Sequence, residues 1–199
     1  MVRLGVELLV VFIGVYAAFA LSRYEARREA TERRRQLQDA LVREIEDLTS
    51  NTRRVAQQLP VQLAQFDSAV RAGGRPALQP WIEPVRVQTH VWEATLQSGA
   101  LELFDIPTVY SLSQFYNELN AGFEQLAQLR ALSETVLIPN LERGSSEFYQ
   151  SDGKLRAKYQ WYREGLGRLS DLAARITKFG DSLAAQLGSP DQDRPIPGR

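Results

Sequence analysis

The sequence predicts an all-α protein in which an N-terminal transmembrane helix continues into a soluble antiparallel helical bundle. Leu8 to Leu21 is a run of fourteen residues without a charge. No proline or glycine occurs between Val15 and Leu59. Near the C-terminus, apolar residues recur in steps of three and four, the spacing of a packed helix face. We therefore expect a membrane anchor at 1–22, a bundle domain at 23–188 and a flexible tail at 189–199.

The apolar run is long enough to cross a bilayer. Extended to Leu4 and Ser22, it holds nineteen residues with Glu7 as the one charge. A helix of that length spans about 28 Å, close to the thickness of the hydrocarbon layer. The run is apolar on every side, whereas a core helix has one apolar stripe. The residues predicted to form the anchor are Glu7, Leu8, Leu9, Phe12, Ile13, Gly14, Ala17, Ala18 and Leu21.

A cleaved signal peptide is the main alternative to an anchor. Ala18-Phe19-Ala20 resembles a cleavage site, and Arg3 provides a small basic region before the run. The chain that follows is dense in arginine, which resists translocation, so an uncleaved anchor is favoured. The arginines in this cluster are Arg23, Arg27, Arg28, Arg33, Arg34 and Arg35.

The same arginines predict the orientation. Six follow the run and one precedes it, so the positive-inside rule places residues 23–199 in the cytoplasm and the N-terminus outside. Glu25, Glu29 and Glu32 interleave the arginines. The cluster therefore predicts orientation and contact with lipid headgroups rather than a nucleic-acid site.

The soluble part reads as three long helices with short pieces between them. Pro60 should kink or restart the first helix, leaving a short helix from Val61 to Ala72. Thr89 is the expected N-cap of a short helix at 90–98, and Asp105 that of the second long helix. Pro139 should break or kink that helix.

Two apolar seams predict how these helices pack. The first helix carries Leu37, Leu41, Ile45, Leu48, Val55 and Leu59. The last helix carries an unbroken heptad seam at Leu155, Tyr159, Tyr162, Leu166, Leu169, Ala173, Ile176, Gly180, Leu183 and Leu187. Such seams are typical of bundle cores or coiled coils.

Composition excludes several kinds of chemistry. The chain has no cysteine, one histidine, and 24 basic against 24 acidic residues. It therefore lacks thiolate sites and two-imidazole metal sites, and has no general attraction for nucleic acid. His90, Glu93 and Asp105 are the nearest approach to a catalytic set, but no nucleophile accompanies them, so a capping or interface role is favoured for His90. Axial ligation of a porphyrin or chlorin metal by His90 is a minor alternative.

We therefore predict no catalytic, cofactor-binding or metal-binding residue. Trp81 lies among prolines and is a candidate interface residue, with burial in the core as the equal alternative. Whether Trp81 or His90 contacts a ligand or pigment is left open.

The sequence resembles an uncharacterised bacterial family of small membrane-anchored helical proteins, known as a domain of unknown function. The resemblance lies in ELLVVFIGVYAAFAL from Glu7, the charged helix SRYEARREATERRRQLQDALVREIEDL, and VWEATLQSGALELF followed by QFYNEL. It covers roughly residues 3–120. Arg23-Tyr24 departs from the Asn-Trp pair frequent in the family. The resemblance implies the same architecture in a bacterial inner membrane, and no activity.

These observations predict a non-enzymatic accessory or scaffold subunit of a larger integral membrane complex, of the respiratory, photosynthetic or transport kind. Its partners would be membrane lipid and other integral membrane subunits, without nucleic acid or cofactor. The alternative is a membrane-tethered signalling or sensor module that self-associates through its helical heptads, so a homo-oligomer is left open.

Overall fold

The computed structural model describes the backbone of residues 2–82 and 89–189, and the side chains of residues 12–82 and 89–189. Within these ranges the regular structure is helical, apart from one isolated bridge between Tyr149 and Leu155. The prediction of an all-α protein is confirmed. Its helices are α1 (Val2–Arg71), α2 (His90–Gln97), α3 (Ile106–Leu132), α4 (Ser145–Phe148) and α5 (Gln160–Leu187).

Short irregular helical segments join these elements. A 3₁₀ turn (Ala100–Leu103) precedes α3, and another (Ala157–Tyr159) precedes α5. After Leu132 the chain continues through a π-helical turn (Ser133–Leu137) and a 3₁₀ segment (Ile138–Arg143). Pro139 thus ends regular α-helix, as predicted. A wider turn before a proline relieves the clash between its ring and the preceding backbone.

Helix α1 is one uninterrupted element of 70 residues, about 105 Å long. The predicted restart at Pro60, with a separate short helix after it, is wrong, because the helix runs through this residue to Arg71. Pro60 is exposed. Water can therefore hydrate the carbonyl group that loses its partner, which lowers the cost of a proline inside a helix.

Helix α5 runs antiparallel to both α1 and α3. Arg53 of α1 pairs with Asp181 of α5, and Asp67, farther along α1, pairs with Arg163, which comes earlier in α5. The two helices therefore run in opposite directions. Gly122 of α3 lies against Ile176 of α5, and farther along α3 Leu129 contacts Gly165. It follows that α1 and α3 are parallel. The predicted antiparallel packing holds for α5 alone, because the long connection at 72–105 returns the chain to the end where α1 enters the bundle.

The bundle core is divided into three clusters along its length. The largest joins α1, α3 and α5 near the entry of α1, through Leu41, Ile45, Leu112, Phe115, Ile176 and Leu183. The middle cluster contains Leu59, Leu129 and Leu169. The third lies at the far end and contains Leu78, Leu137, Phe148, Tyr149 and Tyr159. Both predicted seams are buried or half-buried along the bundle. The last helix, however, begins at Gln160 and carries its seam only from Tyr162 to Leu187, because Leu155 and Tyr159 precede it.

Candidate functional site: the amino-terminal stalk and the docking point of α2

The N-terminal part of α1 stands clear of the bundle. Every residue from Phe12 to Arg33 is exposed, and we call residues 12–33 the stalk. Its large apolar side chains include Phe12 and Tyr16, each 71% exposed, and Phe19, 65% exposed. Contact with the core begins at Leu37 and is complete at Leu41. An apolar surface of this extent on a free helix indicates contact with lipid or protein.

The stalk contains much of the predicted anchor. Phe12, Ile13, Gly14, Ala17, Ala18 and Leu21 are all exposed on it. The side chains of Glu7, Leu8 and Leu9 lie outside the described residues. Among the residues that the structure describes, no helix has a stretch that is long and apolar enough to cross a membrane.

One of the six arginines predicted to contact headgroups belongs to the bundle. Arg34 is half-buried, whereas the other five are exposed. Asp105 caps α3 by accepting a hydrogen bond from the Thr108 backbone N–H at 2.9 Å, as predicted. Hydrogen bonding by Thr108 lowers the pKa of Asp105, and the nearby charge of Arg34 lowers it further. Arg34 therefore lies near the N-terminus of α3.

The stalk charges are unevenly distributed around the helix. At about 100° per residue, Arg23 and Arg27 lie within about 20° of Arg34 around the α1 axis. The glutamates Glu25, Glu29 and Glu32 lie about 140–180° away. Arg28 and Arg33 lie between the two groups, about 100–120° from Arg34.

The basic side of the stalk continues the core-facing side of α1. Leu41 and Ile45, which are fully buried, also lie within about 20° of Arg34 around the helix. The bundle therefore stands on the same side of α1 as Arg23 and Arg27.

Glu44 joins α1 to α2. Its carboxylate accepts hydrogen bonds from the backbone N–H groups of Val91 at 2.7 Å and Trp92 at 3.1 Å. These donors belong to the first turn of α2, where N–H groups lack partners within the helix. A negative charge there also interacts favourably with the helix dipole. Thr89 is the N-cap residue, as predicted, but its side chain makes no capping hydrogen bond to the backbone, and Glu44 accepts from the N–H groups instead.

Tyr116 completes this docking point from α3. Its hydroxyl group donates to Glu44 at 2.6 Å, and its ring stacks on Trp92 with centroids 4.6 Å apart. Burial raises the pKa of Tyr116 well above its usual range, and the hydrogen bond to Glu44 and its charge add to the shift. Tyr116 stays protonated at physiological pH, so the contact acts as a clamp between three helices.

A groove of about 920 Å³ runs beside the docking point. Its floor includes apolar side chains of α3 and α5, among them Phe123, Leu126 and Leu172. Arg43, Asp47 and other polar residues of α1 form one edge.

Trp81 and His90, the two residues that the sequence analysis left open as ligand contacts, both line this groove. Trp81 is half-buried against the middle core cluster, and its backbone N–H donates to the Ser133 hydroxyl at 3.0 Å. His90 is exposed. The Glu93 carboxylate accepts from the Thr89 hydroxyl at 2.7 Å, and Asp105 is held by its cap. Both carboxylates are therefore engaged in local hydrogen bonds.

No metal centre is evident from the side chains at 12–82 and 89–189: they contain no group of three or more histidine, aspartate or glutamate residues arranged to hold an ion. Comparisons with family models, curated proteins and solved structures each found no match. The family resemblance drawn from the sequence stays a prediction.

Glu44 is the residue that sequence reasoning did not find. In the sequence, Glu44 is one of three neighbouring acidic residues of α1, with Glu46 and Asp47, and no pattern distinguishes it from them. Its position one residue before the buried Ile45 places it near the core edge, but its partners are 47 to 72 residues away. Helical periodicity does not identify such distant partners.

Proposed function

We propose that this protein is a non-enzymatic accessory or scaffold subunit of a larger integral membrane complex in a bacterial inner membrane. Its first helix would cross the bilayer once with the N-terminus outside, and its bundle would lie in the cytoplasm. The observation that carries the proposal is the continuity of α1, which joins the apolar N-terminal segment to the bundle core in one helix.

The exposed apolar surface of the stalk supports the anchor. Nine of the fourteen residues from Leu8 to Leu21 are Leu, Ile, Val or Phe. On a scale of about −0.3 to −0.6 kcal/mol for each such residue, they favour insertion by about 4 kcal/mol. Phe12, Tyr16 and Phe19 expose their rings on the described part of this segment. Lipid or neighbouring membrane helices would cover them.

The use of polar side chains in the bundle supports a structural role. Glu44 and Tyr116 clamp helices together, and Asp105 caps α3. Arg53 bridges to Asp181 across α1 and α5 at 2.5 Å. These groups stabilise the bundle, and a scaffold requires a stable surface rather than a reactive group.

The alternative of a self-associating sensor module has weaker support from this geometry. It relied on the apolar seams of the first and last helices as contacts between copies. Leu41 of α1 and Leu183 of α5 are instead buried in one core within a single chain. That packing leaves these seams covered and favours partners other than a second copy.

The anchor and its orientation can be tested with single cysteines, because the chain has none. The full chain would carry Val2→Cys or Ser50→Cys and be labelled in bacterial spheroplasts with a membrane-impermeant maleimide. We expect residue 2 to react from outside and residue 50, which is exposed on the bundle, to react only after lysis. The protein should also resist alkaline extraction from membranes. Labelling of residue 50 in intact spheroplasts, or release by alkali, would contradict the proposal.

The accessory role needs a separate experiment. Crosslinking in native membranes followed by purification should yield a complex with other integral membrane proteins. A monomer without partners would count against the role, and a homodimer without other proteins would favour the sensor module.

A further inference from the structure

We propose that an anionic lipid bilayer attracts the basic side of the stalk and tilts α1, so that the N-terminal end of α3 approaches the membrane. This inference rests on the anchor proposed above and names the lipid surface that contacts Arg23 and Arg27. An evenly mixed stalk would have no preferred direction of tilt. The separated charges of this stalk give it one.

The distance of each charge from the membrane surface, measured along α1, determines how strongly the lipid headgroups act on it. Arg23 comes directly after Ser22, the last residue of the apolar segment, and Arg27 lies about 6 Å further along the helix. The potential of an anionic surface decays over about 8 Å at physiological salt. Both arginines therefore lie within it, whereas Arg34 lies about 16 Å above Arg23.

The opposite side of the stalk repels the same surface. Glu25 and Glu29 are exposed and lie between the heights of Arg23 and Arg34. Attraction on one side and repulsion on the other produce a torque on α1, which is one continuous helix. Transmembrane helices tilt by 0–40° in known structures, so the bilayer permits such a response.

The direction of tilt follows from the position of the bundle. Leu41 and Ile45, on the basic side of α1, share one core cluster with Leu112 and Phe115 of α3, so α3 begins on that side. Ile106 and Tyr110, in the first turns of α3, are 85% and 70% exposed. They lie at the end of the bundle nearest the membrane. An isoleucine and a tyrosine suit the interface between headgroups and hydrocarbon. Glu102 is exposed at this end and opposes the approach, which limits its depth.

The test uses the full chain in bilayer nanodiscs of phosphatidylcholine, with and without phosphatidylglycerol. A single nitroxide label replaces Tyr110, or Gln36 as a matched position on the far side of α1 at similar height. Collision with a water-soluble nickel complex reports the exposure of each label. We expect phosphatidylglycerol to reduce nickel access at residue 110 and to leave it unchanged or raise it at residue 36. High salt should reverse both shifts.

Paired charge reversals test whether the effect depends on the side of the helix. Arg23→Glu with Arg27→Glu should abolish the shift at residue 110. Each arginine near the surface changes the ratio of tilted to upright molecules about fivefold. The single variants Arg27→Glu and Arg28→Glu change the net charge equally at nearly the same height, about 100° apart around the helix, so Arg27→Glu should reduce the shift and Arg28→Glu should preserve most of it.

Two results would overturn the inference. One is the absence of a shift on adding phosphatidylglycerol, and the other is an equal loss in Arg27→Glu and Arg28→Glu. Either result in a protein that still floats with the nanodiscs leaves the proposed anchor intact. Failure to insert into nanodiscs of either composition counts against the anchor itself.

Discussion

Glu44 connects three helices with one carboxylate. It accepts from two backbone N–H groups of α2 and from the hydroxyl group of Tyr116. Its loss leaves these donors without their acceptor in a half-buried place. Donors left in this way cost about 1–3 kcal/mol, and charged acceptors lie at the upper end. The short helix α2, only eight residues long, depends on this contact more than on its own propensity.

We expect Glu44→Ala to lower the free energy of unfolding of the bundle by about 2–3 kcal/mol. Denaturation of the full chain in detergent, followed by tryptophan fluorescence, would measure the change, because Trp92 lies at this contact. Glu46→Ala is the matched control, since Glu46 is exposed two residues away on the same helix. Equal effects of the two substitutions would show that the contact with α2 contributes little.

Asp105 gives the bundle a contribution that depends on pH. Its pKa is lowered in the folded state, mainly by the hydrogen bond from Thr108. A carboxyl group with a lowered folded pKa stabilises the fold above its unfolded pKa, near 3.9. That contribution is lost as the pH falls through the folded pKa. Asp67, whose pKa is lowered mainly by its hydrogen bond with Arg163, acts in the same direction.

We expect Asp105→Asn to weaken the loss of stability in acid. Asparagine caps helices about as well as aspartate does but does not titrate, so the cap survives at low pH. The measurement is the urea midpoint of both proteins at pH 6 and pH 3. The urea midpoint of the variant should fall less between pH 6 and pH 3 than that of the natural chain. An identical loss would contradict this role for Asp105.

Two glycines of α5 differ in what surrounds them. A methyl group on Gly180 would overlap Thr49 of α1 and the Phe115 ring of α3, so three helices meet closely there. A methyl group on Gly167 would meet no atom within 4 Å. Glycine in a helix costs about 1 kcal/mol relative to alanine, so only the packing at Gly180 justifies that cost.

We expect Gly180→Ala to destabilise the bundle by about 1–3 kcal/mol through overpacking. Gly167→Ala should instead stabilise it by up to about 1 kcal/mol. Thermal unfolding of both variants, monitored by circular dichroism, provides the comparison. Stabilisation by both substitutions would mean that α1 and α3 can move apart at Gly180 without loss.

The helices differ in how far the sequence predicts them. In α5 each step of three or four residues points to the same partner surface, and Leu169, Ile176 and Leu183 are buried as expected. At Pro60 the local rule failed because the cost of a proline depends on exposure, which the sequence does not give. At Thr89 the sequence places the N-cap residue correctly, but the side chain that accepts from the first turn belongs to Glu44, 45 residues earlier in the chain.

The parallel arrangement of α1 and α3 also escaped prediction. Seams indicate which face of a helix is buried but not which way the helix points. Direction depends on where the connection at 72–105 runs, and the prolines at 76–84 indicate only that its first part is not regular helix. The candidate site shows the same limit. The sequence predicts the stalk and its arginines, whereas the contacts of Glu44 depend on the tertiary fold.

At the scale of the whole molecule, α1 is supported along only part of its length. From Leu41 onward it packs against α3 and α5, whereas residues 23–33 have no contact with the described core. Isolated helices of such length are marginal in water, and packing supplies most helical stability.

We expect backbone amides at 23–33 to exchange with deuterium much faster than those at 41–48, when the full chain is held in detergent. Mass spectrometry of peptides from the two segments would compare them. Transfer into a bilayer containing anionic lipid should slow exchange in the first segment. Equal protection of both segments in detergent would indicate a contact along the stalk, such as a second chain.

The continuity of α1 also fixes the direction in which the bundle faces, measured around the axis of α1, relative to the apolar N-terminal segment. One amino acid inserted between Ser22 and Arg34 would rotate the entire bundle by about 100° relative to the residues before it. Insertions of seven or eleven would return it to within about 20° of its original heading, about 10 or 16 Å farther from the membrane. A surface loop can absorb an insertion of one or two residues. In this helix the same insertion would turn a different side of the bundle toward a neighbouring protein.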